Sequence, residues 1–228
     1  MNILEILKYN NGATRDLISS KSGCGIDVIG SELKRLLDYN VITTENDRYY
    51  LDDNNLHQAK LSITSRGNGS VKIGDNEVFI YKDRLNRSLD GDMVELVLFK
   101  YENKYEAEVV EITERGKTLF VGIMDDRKGY GFVVTKNAKM YVDLYVKGSH
   151  MKNAKTNDVV VVEMYKWDND SANPYAKVTN VIGQLGLHET EIHSILEEYG
   201  LPYNFPNDVI EEAESISPKI TEDDLVDR

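Results

Sequence analysis

Two aromatic residues in the middle of the chain have a spacing suited to stacking on nucleic-acid bases. The run KGYGFV at 128–133 places Tyr130 and Phe132 two positions apart, with a glycine before each of them. If the run is a β-strand, side chains at alternate positions share one face, so both rings lie on the same side of the sheet. A base stacked on an exposed ring gains ~1–3 kcal/mol whatever its identity. The run therefore predicts a surface that binds single-stranded nucleic acid.

A third ring and several cations extend this prediction. Tyr145 is expected on the neighbouring strand, and the glycines are expected to let a nucleic-acid strand approach the rings closely. The alternative is that Tyr130 and Phe132 fill the core of the domain. We favour the exposed arrangement because Val133 and Val134 can supply the core. The candidate phosphate contacts near the run are Arg127, Lys128, Lys136, Lys139 and Lys147.

The strands that would position these rings occur twice in the sequence. Residues 79–101 align with residues 145–167 without a gap, and shorter matches lie on either side. Each copy has several short runs rich in β-branched and aromatic residues, without a helical period between them. This pattern is typical of a small closed β-barrel. We therefore predict two barrels in tandem.

The first copy lacks most of the predicted stacking surface. Asn68 and Ser70 stand where the second copy has Tyr130 and Phe132, so Phe79 is its main candidate ring. Arg66 is its candidate phosphate contact, with further basic residues in the same copy. Four aromatic residues late in the long strands are expected in the core or between the barrels, namely Phe99, Tyr101, Tyr165 and Trp167.

The N-terminal segment has the pattern of a winged helix-turn-helix. Apolar residues recur at helical spacing in three short segments, and a polar turn at 45–47 separates two β-rich runs. In this fold the third helix can enter a DNA groove. The third helix has few basic residues here, which disfavours a duplex-DNA regulator and leaves a structural or protein-contact role open.

Charge is distributed unevenly along the chain. The net charge is −12, from 27 Lys and Arg against 39 Asp and Glu. Residues 116–183 have ten basic and seven acidic residues, a balance of +3, whereas residues 184–228 have two and twelve, a balance of −10. The predicted second barrel is thus the most basic part of the chain, and it suits a polyanion better than the rest.

The remaining composition limits the other classes of protein. The one cysteine excludes an internal disulfide and favours a reducing, cytoplasmic location. No run approaches the roughly 20 apolar residues that span a bilayer, so no membrane partner is expected. No Ser/His/Asp or Cys/His set suggests catalysis, and no cofactor is expected for this chain.

These observations predict a multi-domain, mainly β protein. A winged helix-turn-helix at 1–56 is followed by two OB-fold barrels at 60–115 and 116–184. A helical segment at 185–228 completes the chain and contains all but one of the four prolines.

Several motifs resemble a known family of RNA-degrading enzymes. Residues 128–133 with 142–146 resemble the paired ribonucleoprotein motifs of cold-shock domains, which are five-stranded OB barrels that bind single strands. The order of parts, with YGLPYNFP at 199–206 and the run 211–213, resembles the N-terminal, RNA-binding half of ribonuclease R, in the ribonuclease II superfamily.

The resemblance implies a specific function for the chain. It implies capture of single-stranded RNA for a 3′-to-5′ exoribonuclease, whose catalytic domain uses magnesium bound by clustered aspartates. That domain is expected to lie outside this chain, because Asp223, Asp224 and Asp227 lack the family's framing residues. On this basis the chain itself is not an enzyme. The alternative is a stand-alone cold-shock-type RNA-binding protein or RNA chaperone, whose acidic tail docks a protein partner.

Overall fold

The N-terminal helices are short, and local sequence signals set their limits. The computed structural model describes residues 2–102, 104–201 and 207–216. The Thr14 side chain accepts a hydrogen bond from the Leu17 backbone N–H and caps the second helix, which ends at Gly23 in the left-handed conformation. The three helices are α1 (Ile3–Tyr9), α2 (Arg15–Ser22) and α3 (Ile26–Asp38).

A two-stranded hairpin completes the predicted winged helix. Strands β1 (Ile42–Glu45) and β2 (Arg48–Leu51) pair in antiparallel register around a turn in which Asn46 and Asp47 have positive φ. Apolar side chains of all three helices and of the hairpin form one core with Val97, Phe99 and Val110 of the next unit. The winged helix is thus packed against the first barrel rather than tethered to it.

The first barrel has six strand segments, and its sheet closes through one kinked strand. The order is β3-β7-β8-β6-β5-β4, so β3 and β4 lie at its two ends. Only Leu61 separates β3 from β4 in the chain, and therefore the two ends belong to one continuous stretch. The segments are β3 (Leu56–Lys60), β4 (Ser62–Ile63), β5 (Gly69–Ile73), β6 (Asn76–Ile80), β7 (Met93–Tyr101) and β8 (Lys104–Glu114).

The second barrel is a closed five-stranded sheet of the same order. Its order is β10-β11-β13-β12-β9, in which β9 pairs with both β10 and β12. In each barrel one strand pair is parallel, Phe79 with Glu106 in the first and Tyr145 with Tyr175 in the second. The strands are β9 (Leu119–Asp126), β10 (Tyr130–Thr135), β11 (Leu144–Lys147), β12 (Asp158–Lys166) and β13 (Tyr175–Gln184).

Two helices follow the second barrel. Helix α4 (His188–Glu198) packs on that barrel, where Thr190 is buried. Helix α5 (Asn207–Ser215) exposes Val209 and Ile210. The predicted motif at 199–206 lies partly outside the described residues, and the acidic run from 222 onward lies wholly outside them. No helix in the described part of the chain has the length and apolar character needed to cross a bilayer.

The two barrels also contact each other. Leu89, from the loop before β7, joins the core of the second barrel. The Tyr141 hydroxyl donates a hydrogen bond to the Ser88 carbonyl at 2.8 Å. The four unit boundaries given above stay predictions, since the cores of adjacent units share residues.

Candidate nucleic-acid interface

The structure brings Tyr130, Phe132 and Tyr145 together on the outer face of the second barrel. Phe132 lies opposite Tyr145 in the β10–β11 register, with ring centroids 5.8 Å apart. Tyr130 stacks at 5.8 Å from Tyr145, with an interplanar angle of 25°, and its side chain is 42% exposed. We call these three rings the aromatic surface. They form a contiguous patch against which planar bases can pack.

Strand alternation explains why these rings face outward. Gly131 and Val133 point into the barrel, where Val133 packs with Met124 and Val146. Val134, expected to help fill the core, lies instead on the outer face and is 43% exposed, because it follows the same alternation as Phe132. The interior is therefore filled without Tyr130 or Phe132.

Gly131 was expected to let a nucleic-acid strand approach the rings, but in the structure it is needed for packing inside the barrel. A Cβ at this position would lie 2.9 Å from the Met124 Sδ and 3.0 Å from the Asp125 carbonyl oxygen. The residue is buried, so a glycine is required here by packing inside the barrel and not by the approach of a ligand. Gly129 has a φ of +110°, which favours glycine and turns the chain into β10.

The predicted cations differ in what they contact. Lys147 lies opposite Tyr130 in the register, and neither its ammonium group nor that of Lys128 makes an ion pair within the described residues. Lys136 instead pairs with Glu191 of α4 at 2.8 Å, and Lys139 pairs with Asp90 of the first barrel at 3.0 Å. Three of the five candidate phosphate contacts, these two and Arg127, are thus engaged by carboxylates.

Arg127 balances a carboxylate beside the rings. Asp125 lies opposite Phe132 in the β9–β10 register, where its charge would repel a phosphate. The Arg127 guanidinium pairs with that carboxylate at 2.7 Å, and both side chains are exposed to solvent. The edge of the aromatic surface is therefore close to neutral at Asp125 and positive at Lys128 and Lys147.

The first barrel has a smaller set of rings at the matching position. Phe79 packs edge-on against Tyr81 at 4.8 Å, and both are exposed. Ser70 lies opposite Phe79, as Phe132 lies opposite Tyr145. Arg66 is exposed and, with Lys82, lines a cleft of about 540 Å³ between the two barrels. Of the candidate residues of the first barrel, Arg66 thus lies at the cleft between the barrels.

Two tyrosines that sequence reasoning did not assign to the interface lie next to it. Tyr175 contacts Tyr145 at 5.4 Å, and Tyr165 contacts Tyr175 at 6.4 Å. The prediction that Tyr165 is a core or inter-barrel residue was wrong, because its side chain is 48% exposed. Val162 and Met164 of β12 face the core, so strand alternation places Tyr165 on the outer face. That alternation is present in the sequence and could have indicated the exposure of Tyr165.

The other three aromatic residues of that group have the expected packing. Phe99 is fully buried, and Tyr101 lies 4.5 Å from Tyr39 in the core shared with the winged helix. Trp167 packs at the barrel junction, where its ring lies 6.3 Å from Tyr141. These rings join neighbouring units.

The arginine of helix α3 in the winged helix, Arg35, forms an ion pair with the first barrel. Arg35 pairs with Glu108 of β8 at 2.6 Å and with Glu32, and its guanidinium lies 4.4 Å from the Phe99 ring centroid. Burial works against the charge of Arg35, but the two carboxylates outweigh it and raise the pKa of the guanidinium. This helix therefore has little basic charge available for a DNA groove.

The described residues offer no cluster for metal-assisted catalysis. Within residues 2–102, 104–201 and 207–216, no three His, Cys, Asp or Glu side chains are arranged to hold a metal ion. Asp223, Asp224 and Asp227 lie outside these ranges. A magnesium site has no support among the residues described.

Comparison with known proteins agrees with this architecture. A family model described as cold shock domain matches residues 132–206. Ribonuclease R of Thermotoga maritima is 31% identical over 161 residues, which cover 70% of this chain and 22% of that protein. The chain is homologous to the N-terminal region of ribonuclease R. Ribonuclease R of Aquifex aeolicus is 24% identical over 162 residues, 70% of this chain and 23% of that protein. The chain spans less than a quarter of the length of these two relatives.

Solved structures show the same fold. The apo form of Mycoplasma genitalium ribonuclease R matches with a TM-score of 0.60 and 19% identity, over 72% of this chain and 27% of that chain. Yeast Ssd1, described as a pseudonuclease, matches with a TM-score of 0.57 and 16% identity, over 75% of this chain and 26% of that one. The shared arrangement thus occurs in a nuclease and in a protein described as a pseudonuclease.

Proposed function

We propose that this chain binds single-stranded RNA through the aromatic surface of its second barrel. In this proposal it captures substrate for a 3′-to-5′ exoribonuclease of the ribonuclease R type, in the cytoplasm. The observation that supports it is the contiguous set of Tyr130, Phe132 and Tyr145 rings on the outside of a closed barrel. Three clustered rings that the core does not require indicate a planar ligand.

The charges around the rings support a nucleic-acid ligand. Lys128 and Lys147 lie at the edge of the aromatic surface and can contact phosphates, while Arg127 neutralises Asp125. Bases in a single strand are free to stack on protein rings, whereas those in a duplex are already stacked on each other. Ribonuclease R of Mycoplasma genitalium, which shares this fold, has been solved in complex with ribose-methylated single-stranded RNA.

Hydrolysis is assigned to a domain outside this chain. The metal-assisted chemistry expected of a ribonuclease R needs clustered carboxylates, and the described residues contain no such cluster. We therefore propose that magnesium acts in the catalytic domain and that this chain holds and delivers the strand.

The first test is fluorescence anisotropy of labelled oligo(A) across a range of salt concentrations. Wild type is compared with the double variant Tyr130→Ala/Phe132→Ala and with Tyr105→Ala, which removes an exposed tyrosine of the first barrel. We expect the double variant to bind at least ~10-fold more weakly, because each stacked base contributes ~1–3 kcal/mol. Tyr105→Ala is expected to bind as wild type does.

The salt dependence tests the charge assignment. Each phosphate contact on a single strand contributes about −0.7 to the slope of log K against log salt. Contacts from Lys128 and Lys147 predict a slope of about −1.4, whereas use of all five predicted cations would give about −3.5. Unchanged binding by the double variant would refute the proposed surface. The length of the RNA is also followed with and without magnesium. Magnesium-dependent shortening of the RNA would place an active site in this chain.

A second candidate function is supported by the helices after the second barrel. Ile192 and Ile195 of α4 are exposed, as are Val209 and Ile210 of α5. In a stand-alone RNA-binding protein or RNA chaperone, these apolar side chains would dock a protein partner. The reading frame beyond codon 228 distinguishes the two candidates. Continuation into a domain with clustered aspartates supports the exoribonuclease, and a stop codon supports the stand-alone protein.

A further inference from the structure

The exposed rings of the second barrel continue beyond the aromatic surface. Tyr145 on β11 lies beside Tyr175 on β13, which is its partner in the parallel register. Tyr165, at the end of β12, follows at 6.4 Å from Tyr175. His150, in the turn after β11, packs its ring edge-on against Tyr165 at 5.7 Å. We call Phe132, Tyr145, Tyr175 and Tyr165 the aromatic row.

The barrel core does not require the far end of this row. The interior beneath it is filled by Val146, Ala176 and Met164, each of which is buried. Met164 and Val162 of β12 face the core, so strand alternation directs Tyr165 to the outer face. The bulge between Met164 and Lys166 lies where the strand ends. The result is a large ring held at the surface by a histidine ring.

The aromatic row is arranged for a single RNA strand that crosses the β-strands of the barrel. Its members lie on four neighbouring strands, β10, β11, β13 and β12, and successive ring centroids are 5.8, 5.4 and 6.4 Å apart. Neighbouring strands are about 4.8 Å apart, so the row extends about 15 Å across the sheet. A single OB fold binds roughly 4–16 nucleotides, and a row of this length suits the lower part of that range.

We propose that the RNA-binding surface continues along the aromatic row and that Tyr165, supported by His150, provides a further base-stacking position. The inference rests on the proposed function and extends it to a longer single strand. It predicts that RNA runs across the strands, from Phe132 on β10 towards Tyr165 on β12.

The ion pairs near Tyr165 predict how binding at this residue depends on salt concentration. Lys166 pairs with Asp168 at 2.9 Å, and Lys177 pairs with Glu163 at 2.9 Å. These cations are already balanced by carboxylates, so binding at Tyr165 depends on stacking more than on phosphate contacts. The effect of removing Tyr165 is therefore expected to change little with salt concentration, unlike the effect of removing Lys147.

The test compares oligo(A) of about 4 and about 8 nucleotides by fluorescence anisotropy. The variants are Tyr165→Ala, Tyr165→Phe and Tyr130→Ala/Phe132→Ala. We expect Tyr165→Ala to weaken binding of the longer RNA by about 5- to 10-fold and that of the shorter RNA by less than about 2-fold. Tyr165→Phe keeps the ring and is expected to bind as wild type does at both lengths.

The outcomes separate this inference from the proposed function. Wild-type binding by Tyr165→Ala at both lengths, with weak binding by Tyr130→Ala/Phe132→Ala, would overturn the extension and leave the function standing. Wild-type binding by Tyr130→Ala/Phe132→Ala would overturn the proposed function itself.

A measurement on the wild-type chain avoids any folding defect of a variant. The 8-nucleotide RNA, containing 4-thiouridine, is cross-linked by light and the labelled peptides are sequenced. Cross-links at Tyr165 or Tyr175 support the extension. Cross-links confined to residues 127–147 contradict it.

Discussion

The availability of individual lysines depends on neighbours that are distant in the chain. Lys136 on the second barrel is held by Glu191 of α4, and Lys139 by Asp90 of the first barrel. The hydrogen bond from Lys136 is the main cause that lowers the pKa of the Glu191 carboxyl below its ordinary value. The ion pair with helix α4 thus makes the Lys136 ammonium group unavailable for a phosphate contact on the proposed RNA surface.

Release of Lys136 is expected to strengthen RNA binding. In Glu191→Gln the ion pair is lost and one negative charge is removed near the second barrel. We expect affinity for oligo(A) to rise by about 2- to 5-fold at low salt. The slope of log K against log salt concentration is expected to be steeper by about 0.7. Anisotropy titrations at several salt concentrations measure both quantities.

A double-mutant cycle separates the cation from the general loss of charge. Lys136→Ala is expected to have little effect in the wild-type chain but to reverse the gain in the Glu191→Gln chain. Glu189→Gln, which changes an acidic residue of the same helix turn, is the matched control. An equal gain from Glu189→Gln would mean that net charge is responsible and that the ion pair is not.

At the scale of the elements, the two barrels share one strand order but differ in their outer rings. Ser70 lies opposite Phe79, and Glu106 is the parallel-strand partner of Phe79, at the positions that Phe132 and Tyr175 occupy in the second barrel. The scaffold of the first barrel is therefore present without most of the side chains needed for stacking.

One substitution is expected to build a stacking surface on the first barrel. Ser70→Phe would place a ring opposite Phe79, near Tyr81. In the Tyr130→Ala/Phe132→Ala background we expect it to restore about 5-fold in RNA affinity, since one stacked base contributes ~1–3 kcal/mol. Anisotropy with oligo(A) measures the gain.

The control for this substitution is a phenylalanine at another exposed position. Thr43→Phe adds the same side chain on the winged-helix hairpin, away from both barrels' rings. It is expected to leave affinity unchanged. A similar gain from both variants would show that an added exposed ring binds RNA anywhere on the chain.

At the scale of the whole molecule, ion pairs join the winged helix to the first barrel. Lys8 of α1 contacts both Glu95 of β7 and Glu111 of β8, and the Tyr9 hydroxyl donates a hydrogen bond to Glu111. Partial burial raises the pKa of the Glu111 carboxyl, but the hydrogen bonds from Lys8 and Tyr9 outweigh it and hold the pKa below its ordinary value of 4.5.

This contact predicts a pH-dependent contribution to stability. A carboxyl whose pKa is lowered by folding stabilises the fold above its unfolded-state pKa, and the contribution is lost as pH falls through the folded-state pKa. We expect Glu111→Gln to reduce the free energy of unfolding by about 0.5–1 kcal/mol at pH 7. The difference from wild type should shrink as the pH falls below about 4.5, as measured by urea unfolding at several pH values.

An exposed glutamate on the same strand provides the control. Glu114→Gln removes the same charge at the end of β8 and is expected to change stability by less than about 0.5 kcal/mol. A difference between wild type and Glu111→Gln that persists unchanged at pH 3 would exclude the ion pair as its cause.

The sequence by itself determined the parts of the fold that depend on local periodicity. Apolar spacing predicted the three helices of the winged helix, and the structure confirms them. Alternation predicted that Tyr130 and Phe132 share a face, and the internal repeat predicted two barrels, both of which are seen. These features follow from neighbours within a few residues, or from one pattern repeated along the chain.

Only the tertiary structure decided which side chains meet across long separations in the chain. It placed Tyr165 beside Tyr175, gave Gly131 its packing role, and paired Lys136 with a helix 55 residues further along. These outcomes depend on which strands become neighbours and where their register shifts. Alternation fixes only the face of a side chain, whereas its partners are set by closing the barrels and packing them together.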